Sequence, residues 1–107
     1  MKVKTKNLSG AALDWAVGKA DGCDLAPVEY STKWEFGGPI IERERIRIEW
    51  GQVADISGNP SRFRGWKSGW HADGEYFSDT PLLAAMRCYV AIKMGEEVDV
   101  PDCFFTV

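Results

Sequence analysis

The stretch Thr80–Gly95, TPLLAAMRCYVAIKMG, decides how the rest of the chain folds. Thr80 is a good N-cap residue, and Pro81 fits the first helical position, where a missing N–H costs nothing. Gly95 suits the left-handed residue beyond the last turn, and Lys93 lies where the helix dipole favours a cation. The sequence therefore predicts a helix over residues 81–94.

The apolar side chains of this helix cover most of its circumference. Leu82, Met86, Tyr89 and Val90 share one side, and Arg87 lies on the narrow strip that remains. A surface helix normally has an apolar stripe rather than an apolar majority. We therefore expect neighbouring elements to cover this helix on more than one side. It is too short to span a bilayer.

Length and composition predict one globular domain over residues 1–107. The hydrophobic content of 45% and the charged content of 27% are ordinary for a globular protein. The net charge of −3 argues against non-specific binding to nucleic acid or to an anionic membrane. The opening MKVKTKN lacks the apolar run of a signal peptide, so the cytoplasm is the expected compartment. Three cysteines without a short spacing motif indicate neither a disulfide framework nor a zinc site.

A second helix is predicted near the start of the chain. Ser9 is an N-cap candidate for a helix over Gly10–Ala20, with Leu13, Ala16, Val17 and Ala20 on its inner face. Asp14, Gly18 and Asp21 are expected to face solvent. Residues 23–38 are interpreted as a loop with one turn of helix near residues 31–36. Three aromatic residues of this loop are expected to cap the core or to wall a pocket: Tyr30, Trp34 and Phe36.

The strands are predicted to be antiparallel. RIRIEW, at residues 45–50, alternates so that Ile46, Ile48 and Trp50 face the core while the charged residues face solvent. Residues 55–62 form a turn, residues 62–72 the next strand, and the segments around Val3 and Val98 short edge strands. The fold class is therefore α+β, with a small antiparallel sheet of three to four strands packed with two main α-helices, about residues 10–20 and 81–94.

No catalytic, metal-binding or cofactor-binding constellation stands out in the sequence. His71 is the only histidine, and no nucleophile-elbow pattern surrounds a serine. The acidic residues near the C-terminus lack calcium-loop spacing, and Gly37-Gly38 lacks a phosphate-loop pattern. We predict no cofactor and no metal. A hydrolase with two carboxylates far apart in sequence stays open, because that geometry is not local in sequence.

One region combines arginine with tryptophan. Between Arg43 and Trp70, six basic residues stand against three acidic ones, and three tryptophans are interleaved with them. Arginine beside exposed aromatic rings is typical of surfaces that bind single-stranded nucleic acid and of protein interfaces. The alternative is the polar outer face of a two-stranded ribbon whose tryptophans turn into the core.

Three groups of motifs resemble one family. They are the opening MKVKTKNLSGAALDWAVGKADG, the central YSTKW followed by GGPIIERE, and TPLLAAMRCYVAIKMGEEVDVP. In this order they resemble the NinX-like phage proteins, small proteins of enterobacterial phages and prophages. The resemblance implies a phage or prophage origin and expression in a bacterial cytoplasm, and it carries no catalytic residue. If the family shares a binding site, the candidates in these motifs are Tyr30, Trp34, Glu42, Arg43 and Arg87.

Three functions are compatible with these observations. The favoured one is an accessory module that binds a host or phage protein without chemistry of its own. The second is a nucleic-acid contact through the region 43–70, and the third is a small enzyme with a carboxylate and aromatic pocket. The apolar surface of the C-terminal helix and of the Phe104-Phe105 tail is also compatible with a homodimer. The candidate interaction surface comprises Tyr30, Trp34, Glu42, Arg43, Arg45, Arg47, Trp66, Trp70 and Arg87.

Overall fold

The described residues, 1–22, 28–54, 60–69 and 75–104 of a computed structural model, form three α-helices and five β-strands. The helices are α1 (Gly10–Ala20), α2 (Trp34–Glu44) and α3 (Pro81–Met94). The strands are β1 (Lys2–Lys4), β2 (Arg47–Ala54), β3 (Pro60–Gly69), β4 (Glu75–Ser78) and β5 (Glu97–Asp99).

The strands form two small antiparallel sheets. One has the order β2–β3–β4, and the other pairs β1 with β5, with Val3 opposite Val98. Within the larger sheet, Trp50 lies opposite Trp66 and Ser68 opposite both Ile48 and Tyr76. This arrangement confirms the predicted α+β class. The two terminal strands predicted as edges pair with each other rather than extending the larger sheet.

Helix α3 lies at the centre of the molecule, as its composition predicts. The Oγ1 of Thr80 accepts a hydrogen bond from the N–H of Leu83 at 3.3 Å, and Gly95 ends the helix with a φ of 91°. Seven of its side chains are buried: Leu82, Ala84, Ala85, Met86, Cys88, Tyr89 and Val90. Because α1, α2 and the larger sheet all pack against it, the helix is covered on several sides.

Helix α1 has the predicted bounds, but its predicted solvent strip is wrong at two of three positions. Asp14 and Gly18 are buried. The Oδ1 of Asp14 accepts a hydrogen bond of 2.9 Å from the backbone N–H of Ser31, so the carboxylate ties α1 to the segment before α2. A buried acidic side chain is acceptable when it is hydrogen-bonded in this way.

Helix α2 contradicts the final part of the loop predicted over residues 23–38, because the helix begins at Trp34 and extends well beyond the single helical turn expected near residues 31–36. Gly37-Gly38-Pro39, which local propensity disfavours in a helix, lies inside α2. Pro39 is the sixth residue of the helix, so it removes one intrahelical hydrogen bond and crowds the carbonyl of Glu35, a cost that the packing of α2 must offset. Gly37 allows close packing, because a Cβ there would lie 2.5 Å from the carbonyl oxygen of Tyr30 and 2.6 Å from Leu82 Cδ1. Tertiary packing therefore outweighs the weak helix propensity of this segment.

Strand β2 begins two residues later than predicted. Arg45 does not join the strand but closes α2 in the left-handed conformation, with a φ of 54°. Ile46 is buried and Ile48 is half-buried, as expected for core-facing residues. Trp50 lies on the same face of the strand as Ile48, as predicted, but its side chain is 53% exposed and so lies outside the core.

Some predictions fall on residues outside the described part of the chain. They include His71, Trp70, the tail residues Phe105 and Val107, and residues 55–59 of the predicted turn. The rest of that predicted turn, residues 60–62, is wrong, because these residues begin strand β3. Of that tail, Phe104 packs against Trp15 on α1 with ring centroids 6.3 Å apart.

Candidate functional site

Two large aromatic side chains are exposed in the first turn of α2. Trp34 is 53% exposed and Phe36 is 40% exposed. Exposed rings of this size are a common signature of binding surfaces when they lie beside a concave apolar region. Both residues precede the buried Gly37, which fixes the side of the helix that faces the core.

The helical geometry places these rings on opposite flanks of the buried line through Gly37 and Ile40. At about 100° per residue, positions 34 and 36 point away from each other by about 160° around the axis. The ring of Trp34 lies along the helix, with its Cε3 atom 3.8 Å from where a Cβ of Gly38 would be. The packing of Gly37 thus holds one ring on each side of the α2 contact.

Each ring borders an open depression. The depression beside Trp34 has a volume of about 440 Å³, and the one beside Phe36 about 550 Å³. They adjoin, because Gly10 and Thr32 belong to both walls. We call the pair the aromatic groove. Its remaining lining residues are Ala11, Asp14, Val28, Glu29, Ser31, Thr80, Pro81, Leu82 and Leu83.

The wall of the groove is mainly apolar and carries few polar groups able to hold a small molecule. Thr80 Oγ1 is used by the N-terminus of α3, and the Asp14 carboxylate by Ser31 N–H. The buried Ser31 Oγ has no hydrogen-bond partner among the described residues. At the rim, Lys33 forms an exposed ion pair with Glu29 at 3.6 Å. The groove resembles an open contact surface more than an enclosed ligand pocket.

A polar cluster joins the ends of the three helices. Arg43 donates to the Asp21 carboxylate at 2.7 Å and to the hydroxyl of Tyr89 at 3.2 Å. The Tyr89 hydroxyl donates to the same Asp21 oxygen at 3.1 Å. Glu44 accepts from Arg43 and forms an ion pair with Lys93 at 3.3 Å. We call these five residues the three-helix cluster. Because their side chains form hydrogen bonds and ion pairs with one another, their role is structural.

The electrostatics of the three-helix cluster follow from these contacts. Burial, together with the nearby Asp21 carboxylate, raises the pKa of Tyr89 to about 12. The hydrogen bond from Lys93 lowers the pKa of Glu44, and the hydrogen bond to Asp21 raises the pKa of Arg43. Tyr89 is therefore neutral at physiological pH and acts as a hydrogen-bond donor rather than as a base.

A third feature is the aromatic pair of the larger sheet. Trp50 on β2 and Trp66 on β3 form an edge-to-face contact with centroids 5.4 Å apart. On the opposite face of the same strands, Lys67 and Glu49 form an ion pair at 3.2 Å. The exposed Trp50 indicates that the apolar face of the sheet extends beyond the part that α3 covers.

The predicted enzyme pocket does not form from its named residues. Tyr30 is buried in the core, and Trp34 lies at the start of α2. Glu42 and Arg43 lie at the other end of that helix, about 12 Å along the axis from Trp34. The structure thus leaves Tyr30, Trp34 and Glu42 apart, and Arg43 is engaged in the three-helix cluster.

The remaining candidate residues are also dispersed. Arg87 Nε donates to the carbonyl of Leu8 at 2.6 Å, and its Nη1 to that of Phe77 at 2.8 Å, so it ties α3 to two neighbouring segments. Burial lowers the pKa of Arg87. Arg45 and Arg47 are exposed at the end of α2 and the start of β2, and Trp66 is in the aromatic pair. Trp70 lies outside the described residues.

Two other kinds of feature are absent from the residues that the structure describes. In the described ranges we find no group of three or more His, Cys, Asp or Glu side chains placed to hold a metal ion. None of the helices seen in those same ranges has the length and apolar character needed to cross a membrane.

Comparison with known families identifies the relatives of this chain. A family model described as "Bacteriophage P22, NinX" matches residues 26–93, more than half of the 107 residues. The chain belongs to the bacteriophage P22 NinX family. The NinX match contains α2, the β2–β3–β4 sheet and most of α3, and so both exposed aromatic rings of the groove. It also takes in residues 45–79, which the motifs quoted above leave out. No curated protein gave a significant match to the chain.

Sequence reasoning identified Trp34 but missed most of the groove. The sequence predicts Phe36 only as a loop aromatic that caps the core or walls a pocket, and it gives no reason to place Thr32, Pro81 or Leu83 at a contact surface. The signal that could have found Phe36 is its spacing, because residues one before and three before a packing glycine flank the buried line of a helix. Proximity of Pro81 to Trp34 depends on tertiary packing and leaves no local signal.

Proposed function

We propose that this NinX-family protein is a phage-encoded accessory protein that acts by binding another protein in the bacterial cytoplasm. The contact surface is the aromatic groove. The observation that supports this proposal is the exposure of Trp34 and Phe36 beside two adjoining, mainly apolar depressions. Aromatic residues of this kind contribute a large share of the binding energy at protein interfaces.

The shape of the groove favours a protein over a small molecule. Its depressions are open, and its wall combines helix N-termini with apolar side chains such as Leu83 and Val28. Small-molecule sites are usually more enclosed and contain converging polar groups that fix the orientation of the ligand. A protein surface can cover the two adjoining depressions without needing such groups. The partner is a host or phage protein.

Affinity capture from phage-infected bacteria tests the proposal. We expect the wild-type protein to retain a specific partner, and both Trp34→Ala and Phe36→Ala to retain much less of it, because each change removes an exposed ring without opening the core. Ile92→Ala is the matched control, since Ile92 is an exposed apolar residue, 38% accessible, near the other end of α3. Equal retention of the same partner by all four proteins would contradict the proposal.

A nucleic-acid contact is the alternative function. The exposed Trp50, paired with Trp66, is the observation that favours it, because rings of this kind stack on unpaired bases. The net charge of −3 and the ion pair between Lys67 and Glu49 oppose it. If this function operates, single-stranded oligonucleotides should quench the fluorescence of the five tryptophans. The affinity measured by this quenching should increase steeply as the salt concentration is lowered. No quenching at low salt would eliminate it.

A further inference from the structure

Strand β2 is an edge of the larger sheet. Among the described residues, β3 pairs with one side of β2, and the other side pairs with no strand. At eight residues, β2 is long for an exposed edge. Its backbone N–H and C=O groups on that side can pair with a further strand, which is why proteins normally shorten or block such edges.

The two faces of β2 differ in character. Ile48 and Trp50 lie on the face toward α3, where Ser68 is buried and Trp66 meets Trp50. Glu49 lies on the outer face with Lys67, its partner at 3.2 Å, and alternation places Arg47 on that face too. The outer face therefore presents a basic residue and an acidic residue two positions apart, with an isoleucine between them on the inner face.

This pattern is complementary to itself. When two copies of β2 pair antiparallel about a two-fold axis at Ile48, Arg47 of each copy lies opposite Glu49 of the other. Across neighbouring strands on the outer face, the charges of adjacent side chains then alternate in sign: Lys67 lies beside Glu49, and Glu49 lies beside Arg47 of the second copy. On the inner face, Ile48 of one copy meets Ile48 of the other. Opposite charges and apolar pairs directly across antiparallel strands both stabilise a sheet.

The other two-fold registers are less favourable. Centring the axis on Arg47 or on Glu49 places like charges opposite each other, which destabilises the pair. Centring it on Trp50 leaves both charged residues opposite uncharged positions. An axis between two residues would align the inner face of one copy with the outer face of the other.

We propose that this protein forms a symmetric dimer through antiparallel pairing of β2 with a second copy of the chain, centred on Ile48. The two sheets become one continuous six-stranded sheet. Because the paired segment is short, the dimer is weak and reversible, in the range of small protein interfaces. It uses a different surface from the aromatic groove, so its failure leaves the proposed function intact.

Sedimentation equilibrium over a wide concentration range tests the dimer. The wild-type protein should change from monomer to dimer with increasing concentration. Arg47→Glu places Glu opposite Glu49 of the second copy, and Glu49→Arg places Arg opposite Arg47, so each variant alone should require at least tenfold higher concentration to associate. A monomeric wild-type protein at the highest concentration reached would overturn the proposal.

An equimolar mixture of the two variants provides the decisive control. In a mixed dimer, Glu at position 47 faces Arg at position 49, and Glu49 faces Arg47, so every cross-strand pair regains opposite charge. We therefore expect the mixture to associate about as well as the wild-type protein. Circular dichroism shows whether each variant is folded. A variant that is unfolded could not regain association on mixing, so misfolding cannot imitate this recovery. A mixture that stays as monomeric as its components, or a dimer insensitive to both changes, would overturn the proposed register.

Discussion

At the scale of the residue, two adjacent glycines of α2 have opposite environments. Gly37 packs directly against the backbone of Tyr30 and the side chain of Leu82, whereas the nearest atom to a Cβ at Gly38 is the Trp34 ring at 3.8 Å. The first contact fixes how closely α2 approaches α3, and thereby where the ring of Trp34 lies. The second is ordinary van der Waals contact.

We expect Gly37→Ala to destabilise the protein by about 1–3 kcal/mol, because the added methyl overlaps a backbone carbonyl that cannot easily move. Gly38→Ala is the matched control. It should raise the free energy of unfolding by about 0.5–1 kcal/mol, since alanine has the higher helix propensity. Urea denaturation measures both changes. Equal effects of the two substitutions would mean that α2 does not pack through Gly37.

The ionisation of the Tyr89 hydroxyl makes the free energy of unfolding depend on pH in the alkaline range. Its pKa is raised to about 12 in the folded protein, so folding favours the neutral form. This contribution is complete below the ordinary tyrosine pKa of 10.0 and is lost as the pH rises from 10 towards 12. We expect Tyr89→Phe to be less stable at neutral pH, and its deficit to narrow over that pH range. Urea unfolding at several pH values, compared with wild type, measures this. A deficit constant up to pH 12 would contradict the assignment.

At the scale of the element, the helices could be predicted from sequence where their end signals agree with their packing. Thr80, Pro81 and Gly95 mark the ends of α3, and Ser9 occupies the N-cap position of α1. Helix α2 could not be predicted, because local propensity disfavours a helix at Gly37-Gly38-Pro39. The glycine at position 37 is favourable only because Tyr30 and Leu82 pack closely against it in the folded protein. The left-handed Arg45, rather than the glycines, ends that helix.

The two predicted N-caps differ in a way that can be measured. The Thr80 hydroxyl accepts a hydrogen bond from the Leu83 N–H, whereas the Ser9 side chain makes no capping hydrogen bond. Thr80→Ala should therefore lower the free energy of unfolding by about 1 kcal/mol. Ser9→Ala should change it by less than about half that amount. Thermal denaturation of the two variants decides the matter, and a larger loss for Ser9→Ala would contradict the cap assignment.

At the scale of the whole molecule, the sequence predicted which elements form the core better than which surface is left open. The composition of α3 indicates burial on several sides, and seven buried side chains agree with it. Strand alternation predicts which face of the sheet the side chain of Trp50 points to, but it does not predict how much of that face a neighbouring helix covers. Trp50 is therefore exposed although it lies on the face toward the core. The groove joins residues from α1, α2 and α3, so no local pattern contains it.

The candidate residues chosen from sequence illustrate the same difference. The sequence favours Arg87 as a polar residue on the last helix and Arg43 as a polar residue beside Gly37-Gly38-Pro39, and the structure places both in hydrogen bonds that join elements. Trp34 was chosen as an aromatic residue of a loop, and it is exposed beside a concave surface. A polar residue on an apolar helix is thus compatible with a tether or a contact, and only the three-dimensional neighbours distinguish them.

The central claim is that the aromatic groove binds a partner protein, and its most direct test is the affinity of the purified partner obtained by capture. Isothermal titration calorimetry should give a dissociation constant at least tenfold higher for Trp34→Ala than for the wild-type protein, a loss of about 1.4 kcal/mol. Ile92→Ala should bind as the wild type does. An unchanged dissociation constant for Trp34→Ala would contradict the claim.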